Sequence, residues 1–318
     1  MSTIRRPRKG SLQYWPRKRA SKLLPRVNWS SISTKDSKKT LKGFIGYKVG
    51  MASAFVKDET PNSMTKGKRI VVPVTIMECP PMRVFSVRLY KAGIVKTEIL
   101  AENPGKELKR RIKLPKKKPK KLEEVSPNEY DDVTLICYSE AKKTGIKKTP
   151  DLSEIGLSGT VEEKLNFAKE KLGKDIDLQD VFEKRQVVDL RGLTKGFGFS
   201  GAVKRFGITL KAHKSEKGRR KPGSLGPWHP ARVTYMTPMA GQLGMFSRNV
   251  HNSNIIDLGK AEDRPGFKGI KNYGDLKTDY LILKGSVQGP AKRQILITYP
   301  SRETKKQAKK IFELIELR

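Results

Sequence analysis

The chain has 318 residues, with 68 Lys and Arg against 32 Asp and Glu, a formal net charge of +36 at neutral pH. A compact soluble domain normally carries single-digit net charge, so an excess of this size calls for a polyanion to neutralise it. Hydrophobic residues are 36% of the chain, below the about 45–50% usual for globular chains, and no run nears the roughly 18 apolar residues of a membrane helix. A chain that is core throughout and one that crosses a membrane by an apolar helix are thereby excluded.

Length alone suggests roughly two domains, or one with extensions. No apolar segment follows the basic N-terminus, so no signal peptide is expected, and Asn28-Trp29-Ser30 is read as a chance glycosylation match. Cys79 and Cys137 are too few for a disulfide framework or a metal site. The expected location is the cytoplasm, with no cofactor, no metal and no small-molecule substrate.

Residues 1–42 are read as a basic N-terminal arm. Over residues 1–48 there are 14 basic residues and one acid, Asp36, punctuated by Pro7, Pro16 and Pro25 and interleaved with Tyr14, Trp15 and Trp29. Such a segment buries too little to fold alone. It reads as a solvated tail or, better given the total charge, as an arm that orders on nucleic acid. Lys and Arg would meet phosphates and aromatic rings would stack on bases. Arg5, Arg6, Arg8, Lys9, Tyr14, Trp15, Arg17, Lys18 and Arg19 are the candidates here.

Strand-like runs follow at 43–47, 51–56, 69–79, 82–90 and 94–100, so 43–103 is read as the first part of a β-barrel. Residues 104–121 hold ten basic residues and one acid. Three readings fit this run: a localisation-like signal, a loop on a phosphate backbone, or a solvated loop. Residues 122–184 reverse the sign, with 9 basic and 15 acidic residues. Within them lies a strand at 132–138. Thr160-Val-Glu-Glu163 is a capping box, and Val161, Leu165, Ala168 and Leu172 recur at helical spacing before Gly173. Residues 104–184 thus form a basic loop and a small, acidic helical insertion. Its paired acids are read as surface charge.

Residues 185–300 are read as the second part of the barrel, with strands at 185–190, 232–236, 244–249, 279–287 and 293–299 and a long loop at about 202–242. Residues 301–318 are expected to be a C-terminal helix, with Ala308, Ile311, Phe312 and Ile315 on one face. The predicted class is mainly β, with short strands and turns favouring a barrel or sandwich.

The segment 190–256 carries 12 basic residues, ten glycines and one acid, Glu216. A solvated face mixes both signs; this segment suits a polyanionic surrounding. Its candidate contacts are Lys195, Lys204, Arg205, Lys211, His213, Lys214, Lys217, Arg219, Arg220, Lys221, Trp228, His229, Arg232 and Arg248. Gly196, Gly198, Gly201, Gly223, Gly226, Gly241 and Gly244 would let backbone approach a phosphate or another chain closely. Gly196 to Gly201 also matches the G-x-G-x-x-G pattern. A dinucleotide site needs a helix opening at once and an acid about 20 residues on. Position 221 is Lys, and Gly207 cuts the following segment short. Trp228 reads either as a core residue capping the barrel or as a stacking residue near a loop tip. Its flanking prolines and upstream basic residues favour the second.

At Gly192-Leu-Thr-Lys-Gly-Phe-Gly-Phe-Ser-Gly201, Gly-Pro-Trp-His-Pro-Ala-Arg-Val (226–233) and Met-Ala-Gly-Gln-Leu-Gly (239–244), the sequence closely resembles the universal large-subunit ribosomal protein L-three family. Gly43-Phe-Ile-Gly-Tyr-Lys-Val-Gly-Met51 resembles that family's first strand and turn. The Trp228 loop, the insertion and the arm resemble its archaeal and eukaryotic branch. The resemblance implies a β-barrel of the translation-protein type with long basic extensions. It implies binding to large-subunit rRNA early in assembly, a Trp228 loop directed toward the peptidyl-transferase centre, and neighbouring large-subunit ribosomal proteins as partners. Where the eukaryotic type has a His-Arg-Gly turn, this chain reads Ser215-Glu-Lys-Gly-Arg-Arg220, so no histidine-modification role carries over to His213. The rival readings are an RNA-modifying enzyme using the Gly-rich loop, which lacks a placed acid, and a DNA-compacting protein, which would spread its basicity over a compact face.

Overall fold

A computed structural model describes residues 10–32, 41–115, 122, 125–214 and 217–318. They form two compact units. One comprises residues 24–192 and 248–318, the other residues 1–23 and 193–247.

The larger unit is mainly β. Its strands are β1 (Gly43–Asp58), β2 (Arg69–Cys79), β3 (Met82–Lys91), β4 (Ile94–Leu100), β5 (Asp132–Ser139), β6 (Leu152–Gly156), β7 (Asp175–Ile176) and β8 (Val187–Leu193). The smaller unit contributes β9 (Gly196–Ser200) and β10 (Gly241–Gly244). The larger then resumes with β11 (Ser247–Lys260), β12 (Asp279–Lys284), β13 (Gln294–Thr298) and β14 (Phe312–Leu317). One sheet runs β13-β8-β11-β12-β2-β1-β14, and β13 also pairs with β1. A second sheet runs β4-β3-β5-β6, with β7 on β3.

The two strand-like runs of 43–56 are one sixteen-residue strand. Its first half pairs with β13 and its second half with β14, while β2 covers its other edge. Gly46 is closely packed: a Cβ there would lie 2.8 Å from Met77 Cε and 3.0 Å from Cys79 Sγ, and those side chains would have to shift. Alternation fails as a guide in β1, since its first seven residues are all buried. A strand covered on both faces reads as a continuous apolar run.

Three sequence expectations are corrected. Residues 301–318 are not one helix: a single turn, Lys305–Ala308, precedes β14. Phe312, Leu314 and Glu316 also fit a period of two, and the open edge of β1 at Ala54–Asp58 supplies the backbone partners that decide for a strand. Residues 232–236 form no strand but exposed turns. Third, β3 and β4 do not join the sheet of β1 and β2. β3 pairs with β4 on one edge and with β5 on the other, so the acidic insertion shares its sheet with residues 82–100.

The N-terminal arm also divides. Trp29, Ile32 and Leu41 are buried in the larger unit. A Cβ on Gly43 or Gly156 would meet the Trp29 ring or its Cβ at 3.0 or 2.7 Å. Trp29 is therefore core and leaves the set of candidate stacking residues.

In the insertion, the helix Val161–Lys171 starts at Thr160 as read from sequence. Thr160 Oγ1 accepts from the Glu163 amide at 3.4 Å, and the Thr160 amide donates to Glu163 Oε2 at 3.1 Å. Several acids of the insertion are paired. Arg88 donates to Glu154 at 3.0 Å, as it does to Glu98 on β4, and Lys164 donates to Asp132 at 2.6 Å. Thr134 donates to Glu154 at 2.9 Å, and Tyr90 also bonds it.

The strands that lead into and out of residues 193–247 are anchored by a buried carboxylate. Asp189, on β8, accepts from the Asn252 amide at 2.9 Å and from the Ser301 amide and hydroxyl at 3.3 and 3.2 Å. His251 Nδ1 stands 2.9 Å away. Gln288 adds a second clamp, donating to the Leu190 and Arg248 carbonyls at 2.8 and 3.2 Å. A carboxylate out of water is tolerable only with such a full set of donors.

Candidate nucleic-acid interface

The smaller unit is built on the two-stranded sheet of β9 and β10. Ser200 pairs with Gly241, Phe199 with Gln242 and Gly198 with Leu243. The register then slips, so that Gly244 pairs with Gly196. Gly198 takes φ +62° at this bulge, the left-handed backbone that glycine adopts without penalty. Gly244, at φ +77°, closes the pair, and a Cβ there would lie 1.9 Å from the Lys195 carbonyl oxygen.

A five-residue helix, Ala202–Phe206, follows β9 and ends at Gly207, φ +64°. It buries Ala202 and Phe206. Phe206 is the centre of a small cluster. The Trp15 ring lies 5.9 Å from it and 5.9 Å from Tyr235. The Arg17 guanidinium lies 4.2 Å above the Phe206 ring and donates to the Arg205 carbonyl at 2.7 Å. Arg205 itself donates to the Gln242 and Met239 carbonyls, both at 3.0 Å. The Ala20 amide donates to the Met245 carbonyl at 2.9 Å. Residues 10–23 are thus held on β10 and the helix by aromatic and cation–π contacts.

Beyond the helix the described residues up to β10 form no helix or strand. Lys211 and Arg219 bond each other across a turn: the Lys211 amide donates to the Arg219 carbonyl at 3.1 Å, and the Arg219 side chain donates to the Lys211 carbonyl at 3.3 Å. Residues 223–236 are exposed without interruption. The Thr237 hydroxyl donates to the Leu225 carbonyl at 3.2 Å and ties the base of this stretch. Trp228 is 86% exposed, which excludes the reading of it as a core residue.

The electrostatics are one-sided. The unit's sequence has eighteen Lys and Arg and one acid, Glu216, which lies outside the described residues. The larger unit holds the remaining 50 basic and 31 acidic residues. Carbonyls and rings therefore receive the positioned cations here, Arg17 and Arg205 partly buried and Lys204 exposed. Lys204 Nζ lies 4.2 Å from the Phe197 ring centre. Burial draws the Arg205 guanidinium below its usual pKa.

Of the sequence candidates, Tyr14, Lys18, Arg19, Lys195, Lys204, His213, Lys214, Lys217, Arg219, Arg220, Lys221, Trp228, His229 and Arg232 are exposed in this unit. Trp15, Arg17, Arg205 and Lys211 are partly buried, and the first three are positioned by the contacts above. Arg248 belongs to the larger unit, on β11. Arg5, Arg6, Arg8 and Lys9 lie outside the described residues, as does the stretch 116–121 of the basic run 104–121.

The glycines fall into two groups. Gly196, Gly241 and Gly244 are crowded by the unit's own atoms. Gly198, Gly201, Gly223 and Gly226 face open space, with nothing within 4 Å of an added Cβ. The G-x-G-x-x-G match is a bulged strand before a five-residue helix, which is not the strand–turn–long helix of a dinucleotide site. Among the described residues no three His, Cys, Asp or Glu side chains come close enough to share a metal ion, and no helix is long and apolar enough to cross a membrane. Sequence reading missed Phe197, Phe199, Phe206 and Tyr235. The alternation Gly-Phe-Gly-Phe was the available signal for the first two.

Fold and site together define a class: a mainly β protein with a separate cationic unit that displays aromatic side chains. The chain belongs to the family described as Ribosomal protein L3, whose profile matches residues 1–317. It is 41% identical over 308 residues to a Methanocaldococcus jannaschii protein named Large ribosomal subunit protein uL3, covering 92% of this chain and 91% of that one. Proteins of the same name from Archaeoglobus fulgidus and Picrophilus torridus are 41% and 39% identical over 302 and 316 residues. These cover 91% and 96% of this chain and 90% and 94% of theirs. The relatives carry the name of a ribosomal component, not of an enzyme.

Proposed function

We propose that the chain is a structural constituent of the large ribosomal subunit, located in the cytoplasm, that binds large-subunit rRNA chiefly through residues 1–23 and 193–247. The observation that carries this reading is the segregation of charge: eighteen basic residues and one acid in a unit that also exposes Trp228. Lysine and arginine neutralise phosphates without regard to sequence, while aromatic tips and bare backbone fit particular RNA shapes. Gly201 and Gly223 support it, since neither has a positive φ or a crowding neighbour. At Gly223 the chain's own fold gives no reason for glycine, and a closely approaching RNA backbone does; Gly201 also serves as the N-cap of the helix Ala202–Phe206.

The pairing of β13 with both β8 and β1 supports reading strands β13, β8, β11, β12, β2 and β1 as a closed barrel of the translation-protein type. On this reading the Trp228 loop extends toward the peptidyl-transferase centre, the chain joins the subunit early in assembly, and the acidic insertion meets neighbouring ribosomal proteins. Sedimentation of cell extract tests the central part. The chain should travel with the large subunit and stay with it through a high-salt wash. Release as free protein would refute it.

A further inference from the structure

We propose that Phe197 and Phe199, together with Lys204, form a stacking site for unpaired RNA bases, distinct from the Trp228 loop. This rests on the rRNA-binding reading above. Phe199 is 82% exposed and Phe197 51%. Single exposed apolar side chains are ordinary. Here, however, two large rings stand two positions apart on a strand fixed by pairing with β10. The unit does not use them to build its interior: that role falls to Phe206, which is buried and against which the Trp15 ring packs.

The surroundings select the occupant. Gly198, between the rings, adds no side chain, and the space at its missing Cβ is open for 4 Å. Lys204 Nζ stands 4.2 Å from the Phe197 ring centre, so a cation borders the aromatic surface. A neighbouring protein would present carboxylates or an apolar face. A ligand that supplies flat π surfaces and negative charge in alternation matches both the rings and the unit's eighteen-to-one excess of basic residues. Single-stranded RNA is that ligand: every base has a π face, and the adjoining phosphate would lie within reach of Lys204. A duplex keeps its bases stacked internally and has none to offer.

The test uses the full chain with a single-stranded RNA oligomer carrying 5-iodouridine and a duplex of equal length. Phe199→Ala should weaken single-strand binding about 5- to 150-fold, the range for removing one base–aromatic stack. Duplex binding and the slope of log K against log salt should not change, because no cation that meets a phosphate is removed. Phe199→Tyr should retain binding, and irradiation should cross-link the wild-type chain at Phe197 or Phe199. Unchanged single-strand binding in Phe199→Ala would overturn the stacking site alone and leave a neighbouring protein as the occupant of the rings. Equal weakening on single strand and duplex would overturn it too. If the wild-type chain bound neither RNA, the rRNA reading would fall with it.

Discussion

Three glycine-to-alanine substitutions separate what the fold requires from what a partner requires. At Gly244 an added Cβ would stand 1.9 Å from the Lys195 carbonyl oxygen, and φ is +77°. The left-handed backbone costs alanine about 1–2 kcal/mol. The overlap cannot be relieved by a rotamer, because the obstacle is backbone. Moving it breaks the bond from the Met245 amide to that same carbonyl, 3.2 Å in the native state, worth about 1 kcal/mol. Strain and the broken bond together come to roughly 2–3 kcal/mol. At Gly198, φ +62° with open space around it, only the backbone cost of about 1–2 kcal/mol remains. At Gly223, with neither a positive φ nor a neighbour, the change should stay within about 0.5 kcal/mol. The assay is amide hydrogen exchange, read on peptides spanning 193–207 and 239–247. Gly244→Ala should speed exchange there by about 30- to 150-fold, Gly198→Ala by about tenfold, and Gly223→Ala not measurably. Gly223→Ala should nonetheless weaken rRNA binding. Wild-type protection in Gly244→Ala, or equally faster exchange in all three, would refute the reasoning.

Phe206→Ala removes the buried ring on which Trp15 and Arg17 pack and should cost about 3–5 kcal/mol. Trypsin should then cut at Arg17, Lys18 and Arg19 far faster than in the parent, and an unchanged rate would count against the cluster. Trp228→Ala, at a fully displayed ring, should leave thermal unfolding within about 0.5 kcal/mol of the parent but disturb subunit assembly or aminoacyl-tRNA binding; normal polysome profiles and normal tRNA binding would contradict its placement. Burial pushes the Asp257 carboxyl up, but hydrogen bonds from Lys184 and Tyr280 and the charges of Lys184 and Arg264 outweigh it and hold its pKa below 3.8. A carboxylate depressed in the folded state stabilises above its unfolded pKa and loses that contribution as pH falls through the folded one. Asp257→Asn should therefore lower stability near neutrality and flatten the decline below about pH 4, as followed by urea unfolding across pH. Burial pushes the Cys137 thiol up to about 12 and Cys79 well above its usual value; a thiol reagent at pH 8 should label neither until the chain is denatured.

Much of the fold was legible because its signals are local. The capping box at Thr160 and Glu163 lies within four residues, and the β-branched runs of β2, β3 and β5 are bounded by turn residues. What the sequence hid was decided by distant partners. The C-terminal segment fits a helical face as well as an alternating strand, and only the free edge of β1, more than 250 residues away, selects the strand. Trp29 looked like part of a solvated arm because nothing nearby reveals that Gly43 and Gly156 leave room for its ring. At the site, the basic residues and Trp228 were legible as a charge excess without compensating acids. The division of labour among them was not. Arg17 and Arg205 hold the unit together, which follows from carbonyls and a ring far off in sequence. Phe197 and Phe199 stand between glycines that read as a Gly-rich loop, and only the pairing with β10 fixes them as two rings on one strand.

The central claim is that rRNA is held by the smaller unit. It is tested most directly by the salt dependence of binding to large-subunit rRNA for two variants of the full chain. One replaces Lys214, Lys217, Arg219 and Arg220 with Gln; the other replaces four exposed lysines of the larger unit, Lys142, Lys148, Lys169 and Lys268. If the account is right, the first variant lowers the slope of log K against log salt by about 0.7–0.9 for each phosphate no longer neutralised, while the second leaves it close to the parent. A slope unchanged in the first variant and lowered in the second would contradict it.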